Sequence, residues 1–162
     1  MTTIRFATAD DAPVILGFIH ALAEYEREPE AVKVTEATLR AQLSASVPPF
    51  ECLLAAHGGE WAGFAVFFTT YSTWVGKTGI WLEDLFVLPE QRRNGIGTAL
   101  LRHLGDIARE RDSGRIEWSV LDWNQLAIGF YTGLGARIME QWRICRVEGA
   151  ALQDFAVSHL KD

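Results

Sequence analysis

A short segment of arginine and glycine carries the residue types best suited to binding an anion. It consists of Arg92, Arg93, Asn94, Gly95, Ile96, Gly97 and Thr98, and we call residues 92–98 the glycine loop. Two glycines two positions apart allow a tight turn with N–H groups pointing one way, and a predicted helix start adds free N–H donors and partial positive charge. The two arginines can add permanent charge. The segment therefore predicts a cradle for a pyrophosphate group.

Two other phosphate-binding motifs do not fit the chain, and one interpretation without function remains. A dinucleotide fingerprint needs a third glycine where the chain has Leu100. A Walker loop ending at residues 76–78 needs a glycine where the chain has Tyr71. A plain glycine turn that only caps a helix stays open as the alternative without function.

The elements that must position this loop follow from hydrophobic periodicity. A strand over 3–7 precedes a helix that runs to about Glu26, with Asp10 as N-cap and Pro13 in the first turn. A weaker helix is predicted over 35–44. Further strands are expected over 51–57, 60–71, 79–87 and 115–120, with helices over 96–111 and 126–134. Final strands are expected over 138–139 and 142–147, followed by a turn or helix over 150–159.

The strand, helix and strand across 79–120 form a crossover unit, which requires two parallel strands. The strands before it are joined by a hairpin at Gly58 and Gly59, so their pairing is antiparallel. The sequence therefore predicts an α/β fold with a mixed sheet flanked by helices.

Composition limits the function. The 162 residues predict a single domain over 1–162, with 49% hydrophobic and 22% charged residues and a net charge of -6. The negative charge argues against general nucleic-acid binding, and the apolar runs are too short to cross a membrane. Cys52 and Cys145 are expected to be core thiols of a protein in the reducing cytoplasm. The four scattered histidines predict no metal site.

With these residues in place, the chain resembles the GNAT superfamily of N-acetyltransferases. The glycine loop after Leu82, Glu83 and Asp84 is similar to the acetyl-CoA loop of that superfamily. Further matches point to the spermidine/spermine (diamine) and thialysine acetyltransferases, and they lie at residues 4–10, 22–26, 74–77, 123–124 and 130–131. The resemblance covers nearly the whole chain and implies a sheet whose central parallel strands are splayed.

The resemblance implies which residues hold acetyl-CoA and carry out the transfer. Pantetheine would pair with strand backbone at Leu85, Phe86 and Val87, and the pyrophosphate would bind the whole glycine loop. Asn124, Phe130 and Tyr131 would complete the cofactor site. In this family pattern Tyr131 is the general acid for the leaving thiolate, and Glu83 accepts the proton of the amine, acting through water. Because strand residues alternate in direction, we expect only one of Glu83 and Asp84 to face the acceptor.

The acceptor implied by the resemblance is a small primary amine. Its site would comprise Tyr25, Glu26, Ser72, Trp74, Glu83, Asp84 and Trp142. The polyamine enzymes have an acidic residue where this chain has Ser72, which favours a shorter or zwitterionic amine such as a lysine analogue. We expect a homodimer and direct attack in a ternary complex. A peptide or protein amine acetyltransferase and a non-catalytic acyl-CoA-binding module stay open as alternatives.

Overall fold

Five strands form one mixed sheet in the order β1-β2-β3-β4-β5. The first four pair antiparallel, and β4 pairs with β5 in parallel. The computed structural model describes residues 1–157. The strands are β1 (Thr2–Phe6), β2 (Glu51–His57), β3 (Glu60–Ser72), β4 (Lys77–Val87) and β5 (Ile116–Trp118), and the helices are α1 (Ala12–Tyr25), α2 (Glu36–Leu43), α3 (Ile96–Glu110), α4 (Gln125–Gly133) and α5 (Gly149–Val157).

Alternate residues of the strands bury two separate hydrophobic faces. Leu53 and Ala55 of β2 join the inner face of α3, whereas Cys52 and Leu54 join the side covered by α1 and α2. This period-two alternation places helices on both faces of the sheet. The mixed α/β fold predicted from the sequence is confirmed, and so is Cys52 as a buried thiol.

The start of α1 differs from the prediction. Asp11, not Asp10, occupies the N-cap position of α1. Its carboxylate accepts hydrogen bonds from the backbone N–H and hydroxyl of Thr8, at 2.7 and 3.0 Å, and pairs with both terminal nitrogens of Arg5. Because these donors already hold the buried Asp11, the exposed Asp10 turns to Arg40 instead, at 2.7 Å.

The parallel pair stands at one end of the sheet rather than in its middle. Only three residues of β5 pair with β4, from Ile80 opposite Ile116 to Leu82 opposite Trp118. Beyond Leu82, β4 continues for five more residues to Val87. This early end of the ladder leaves one edge of β4 without β5, on the side where the glycine loop begins.

The described chain divides into two compact units, one ending at Ser119 and the other beginning at Val120, and the second holds α4 and α5. The strands predicted over 138–139 and 142–147 are wrong, because this segment of the described chain contains neither helix nor strand. A strand needs a ladder partner for its backbone groups, and the Trp142 N–H instead donates to Met139 O in a turn. Cys145 is consequently exposed, contrary to prediction. Residues 158–159 of the predicted last helix lie outside the described residues.

Residues 1–157 lack both a membrane-spanning helix and a cluster of potential metal ligands. None of their helices combines the length and apolar character that crossing a membrane requires. Over the same residues, no three His, Cys, Asp or Glu side chains are grouped so that they could hold a metal ion.

Candidate active site

The glycine loop leads directly into α3. Gly95 occupies the N-cap position with φ of 74°, a left-handed conformation that glycine adopts without a steric penalty. The first helical hydrogen bond runs from Ala99 N–H to Gly95 O at 2.9 Å. The N–H groups of Ile96, Gly97 and Thr98 precede that bond, so they have no carbonyl partner within the helix and can bind an anion.

The two arginines of the loop have different surroundings. Arg93 is exposed, in a left-handed conformation with φ of 66°. Arg92 is half-buried, and its Nε donates to Val87 O at 3.1 Å. Its guanidinium lies over the ring of Tyr25, with Cζ 4.7 Å from the ring centroid. Of the two arginines expected to bind one pyrophosphate, Arg93 is therefore exposed, whereas Arg92 contacts Val87 and Tyr25.

Backbone groups of β4 face the edge where β5 has ended. The Leu88 N–H donates to Ala62 O at 2.9 Å, and Phe86 lies opposite Phe64 in the same antiparallel ladder. By the alternation of such ladders, the backbone groups of Leu85 and Val87 point away from β3. This edge therefore offers an extended ligand the N–H groups of Leu85 and Val87 and the C=O group of Leu85, whereas the Val87 C=O already accepts from Arg92 and the Phe86 groups face β3.

A bulge in β4 brings Glu83 and Asp84 to the same face. Val66 of β3 lies opposite Asp84, but the next residue of β3 lies opposite Leu82, so Glu83 is the extra residue. An extra residue reverses the alternation, and Phe86 therefore joins the α1 side although Leu82 joins the α3 side.

The expectation that strand alternation sends these two carboxylates to opposite faces is thus wrong, and which of them faces the acceptor stays a prediction. The sequence contains a signal for the bulge. The β4 residues that face α3 are Ile80, Leu82, Leu85 and Val87. Their spacing of two, three and two residues breaks the period of a regular strand.

The end of α1 adds an aromatic and an acidic side chain to this face. The Tyr25 and Phe86 rings lie 6.3 Å apart. Burial, followed by the charges of Glu83 and Glu26, raises the pKa of Asp84 to about 6. Burial also raises the pKa of Glu26. Glu83 is exposed and accepts a hydrogen bond from Trp81 Nε1 at 2.8 Å. The sequence does not reveal the raised pKa of Asp84, because its largest cause is burial, which depends on tertiary packing.

Ser72 and Trp74 lie near the start of β4, far from Glu83 and Asp84 in the same chain. Ser72 pairs with Lys77, six residues before Glu83, which corresponds to about 20 Å of strand. Its hydroxyl is buried and contacts the Val75 N–H and Arg115 Nη1, each at 3.3 Å. Trp74 is 92% exposed. One chain therefore does not bring these two residues to the carboxylates, and their role in acceptor binding stays a prediction.

The remaining predicted site residues belong to the second unit. The side chain of Asn124 caps α4 by accepting from the Ala127 N–H at 3.2 Å. Phe130 and the buried Tyr131 follow in α4, with their rings 5.3 Å apart. Trp142 is 72% exposed. Their predicted roles toward acetyl-CoA and the amine stay predictions.

Comparison with known proteins adds independent findings. Residues 7–136 match the family model described as the acetyltransferase (GNAT) family. Thialysine N-epsilon-acetyltransferase of Sus scrofa is 37% identical, over 94% of this chain and 96% of that protein. The human spermidine/spermine N(1)-acetyltransferase-like protein 1 is 34% identical, over 94% of this chain but 23% of that longer protein. A solved integron cassette protein of V. cholerae superposes with a TM-score of 0.81 at 25% identity, covering 97% of this chain and 98% of that one.

The geometry of the glycine loop predicts that Gly97→Ala weakens coenzyme A binding by about 10-fold, or 1.4 kcal/mol, because a methyl group would hold the pyrophosphate away from the N–H groups. Alanine within a helix stabilises it by about 0.5–1 kcal/mol relative to glycine, so a folding defect is not expected. The matched control is Gly105→Ala in the same helix, where an added Cβ meets nothing within 4 Å. Calorimetry with coenzyme A that gives equal affinities for the two variants would contradict the assignment.

Proposed function

Because the chain belongs to the acetyltransferase (GNAT) family and is an N-acetyltransferase, we propose that it transfers acetyl from acetyl-CoA to a primary amine of a small acceptor. The observation that carries the proposal is the clustering of Tyr25, Glu26, Glu83 and Asp84 on one face, next to the glycine loop. Negative charge beside an aromatic ring suits a cationic ammonium group. The predicted subfamily is confirmed by the thialysine and spermidine/spermine relatives.

Within this class we propose an amino acid with a side-chain amine, such as a lysine analogue, as the preferred acceptor. A Sus scrofa relative is named for thialysine. At the position where the polyamine enzymes carry an acid, this chain has Ser72, whose hydroxyl is held by Arg115. A carboxylate available to a distant ammonium group of a polyamine is thus missing at that position.

The chemistry requires that the amine lose a proton before it attacks. An ammonium with a pKa near ~10.4 is neutral in only about one molecule in 2,500 at pH 7. A carboxylate whose pKa is raised to about 6 accepts a proton more readily than an ordinary one. We therefore propose that the Glu83–Asp84 pair receives the proton, directly or through water. Partial desolvation of the ammonium on this face would lower its pKa and assist the transfer.

The attack forms a bond from nitrogen to the thioester carbonyl carbon, and the carbonyl oxygen gains negative charge. A backbone N–H of Leu85 or Val87, at the open edge of β4, is proposed to donate to that oxygen. Donors of this kind contribute about 10²–10³-fold in rate. When the carbon–sulfur bond breaks, the thiolate needs a proton, which we propose comes from Tyr131. The nitrogen releases its remaining excess proton to water as the amide forms, and Tyr131 regains a proton from solvent. The products are the N-acetyl amine and coenzyme A, and no covalent enzyme intermediate is involved.

We further propose that residues 1–162 form a single domain, that the protein is a homodimer located in the cytoplasm, and that it binds neither nucleic acid nor membranes. Trp74 and Trp142 are largely exposed in one chain, which is consistent with a role at a subunit interface as well as with a role in acceptor binding.

The direct test is release of coenzyme A thiol from acetyl-CoA over a panel of amines. We expect the largest kcat/KM with thialysine, lysine or ornithine, less with spermidine and spermine, and none with a matched carboxylic acid that lacks the amine. Mass spectrometry should show one added acetyl group on the side-chain nitrogen. If the protein acetylates basic peptides and none of the small-molecule amines, the peptide alternative is favoured. Binding of acetyl-CoA without turnover of any acceptor would favour the non-catalytic module.

The raised pKa of Asp84 predicts a pH dependence. Below about pH 6 this carboxyl is protonated and cannot accept a proton, so kcat/KM should fall as the pH falls through about 6. Asp84→Asn should lower kcat/KM by about 10²-fold or more at pH 7.5 and abolish this fall at low pH. Glu83→Gln should keep the fall but move it to lower pH, because the charge of Glu83 helps to raise the Asp84 pKa. If the fall instead disappears in Glu83→Gln and persists in Asp84→Asn, the base is Glu83.

Tyr131→Phe should lower kcat by about 10²–10⁴-fold, with little change in coenzyme A affinity, because the ring stays and only the transferable proton is lost. Phe130→Leu is the matched control, since it alters packing in the same helix and removes no proton. Single-turnover kinetics would establish that chemistry is rate-limiting. An unchanged rate of that step in Tyr131→Phe would reject the general-acid role.

A further inference from the structure

Arg92 was expected to supply charge to the pyrophosphate, but its contacts in the fold point elsewhere. Its Nε donates to Val87 O at 3.1 Å. Its guanidinium carbon lies 4.7 Å from the ring centroid of Tyr25 and 5.6 Å from that of Phe86. The Nε edge of the guanidinium therefore contacts β4, and its flat face contacts the aromatic rings of Tyr25 and Phe86.

These contacts connect the end of α1 to the end of β4, the two elements that form the proposed acceptor site. Tyr25 is the last residue of α1, and its neighbour Glu26 belongs to the acidic face. Val87 is the last residue of β4, whose backbone at this point faces the open edge. A planar cation can stack on an aromatic ring and donate from its edge at the same time, and the compact ammonium of lysine cannot do both.

We infer that Arg92 is a positioning residue for the acceptor site and not a ligand of the coenzyme A phosphates. It holds the Tyr25 ring against Phe86 and fixes the Val87 carbonyl, so that the acidic face and the edge of β4 keep their relative geometry. The backbone N–H groups at the start of α3 and the exposed Arg93 then serve the phosphates. The inference rests on the proposed function for its acceptor and on the described contacts for its geometry.

Arg92→Lys is the discriminating variant, because it keeps the positive charge and removes both the flat face and the Nε donor. At saturating acetyl-CoA we expect the KM for the amine to rise by about 10-fold, a size consistent with loss of a partly desolvated cation–π contact and a charge-assisted hydrogen bond. The Kd for coenzyme A should stay within about twofold, because the charge remains. Destabilisation alone would lower the active fraction, and with it kcat, and would leave KM unchanged.

Arg93→Gln supplies the contrast from the neighbouring position. It should weaken coenzyme A binding by about 3–10-fold, the size expected for loss of one phosphate contact by an exposed charge, and leave the amine KM unchanged at saturating acetyl-CoA. Tyr25→Leu completes a double-mutant cycle with Arg92→Lys. The effects of the two changes on kcat/KM for the amine should be clearly less than additive, because both remove the same contact.

The inference is overturned if Arg92→Lys weakens coenzyme A binding about 10-fold and leaves the amine KM unchanged, or if the cycle is additive. Failure of the proposed function gives a different result, since the wild-type protein would then release no thiol with any amine. Two measurements that do not require acetyl transfer would then test the inference. They are the coenzyme A affinity of Arg92→Lys by calorimetry, and the free energies of unfolding in urea of the variants in the Arg92–Tyr25 cycle. Unchanged affinity with non-additive free energies of unfolding would support it, and additive free energies would overturn it.

Discussion

One extra residue in β4 sets the geometry of the candidate site. The bulge at Glu83 turns Asp84 and Phe86 toward α1, although Leu82 just before them packs under α3. Without it, the strict alternation of a strand would send Asp84 into the hydrophobic layer beneath α3, where a carboxylate would lack hydrogen-bond partners. The same bulge places Glu83 and Asp84 side by side, and their mutual repulsion contributes to the raised pKa of Asp84. Bulges are frequent next to active sites because they redirect a side chain in this way.

The parallel pair β4–β5 contributes the second constraint. Hydrogen bonding between these strands ends at Leu82 and Trp118, but β4 continues to Val87. Backbone groups that a longer β5 would have used are therefore directed to an edge, where an extended substrate can pair with them. The glycine loop follows within a few residues of Val87, so a strand edge and a helix start lie in succession along one short segment. An acyl donor with an extended arm and a pyrophosphate matches that succession.

The candidate site places several carboxylates close together, and the positively charged Arg92 lies beside them. Glu26 and Asp84 have raised pKa values because of burial, and Glu83 adds repulsion at Asp84. Such an arrangement costs folding free energy, since partly buried carboxylates lose hydration. It becomes favourable when an ammonium group enters and replaces water around the carboxylates. Arg92, stacked on Tyr25 beside this cluster, binds the surrounding aromatic rings and the Val87 carbonyl.

Most of the elements, the mixed sheet, the glycine loop and the family follow from the sequence alone, because hydrophobic period, glycine spacing and local motifs are properties of neighbouring residues. The sequence placed α3 and the β2–β3 hairpin correctly. It failed where distant residues decide the outcome. Thr8 and Arg5 made Asp11 the N-cap residue, and the strands over 138–147 did not form. Only the tertiary structure set the direction of Asp84, its pKa and the stack of Arg92 on Tyr25. The burial of Asp84 and the stack of Arg92 on Tyr25 depend on how α1 packs against β4, and the spacing of residues along the chain does not specify that packing.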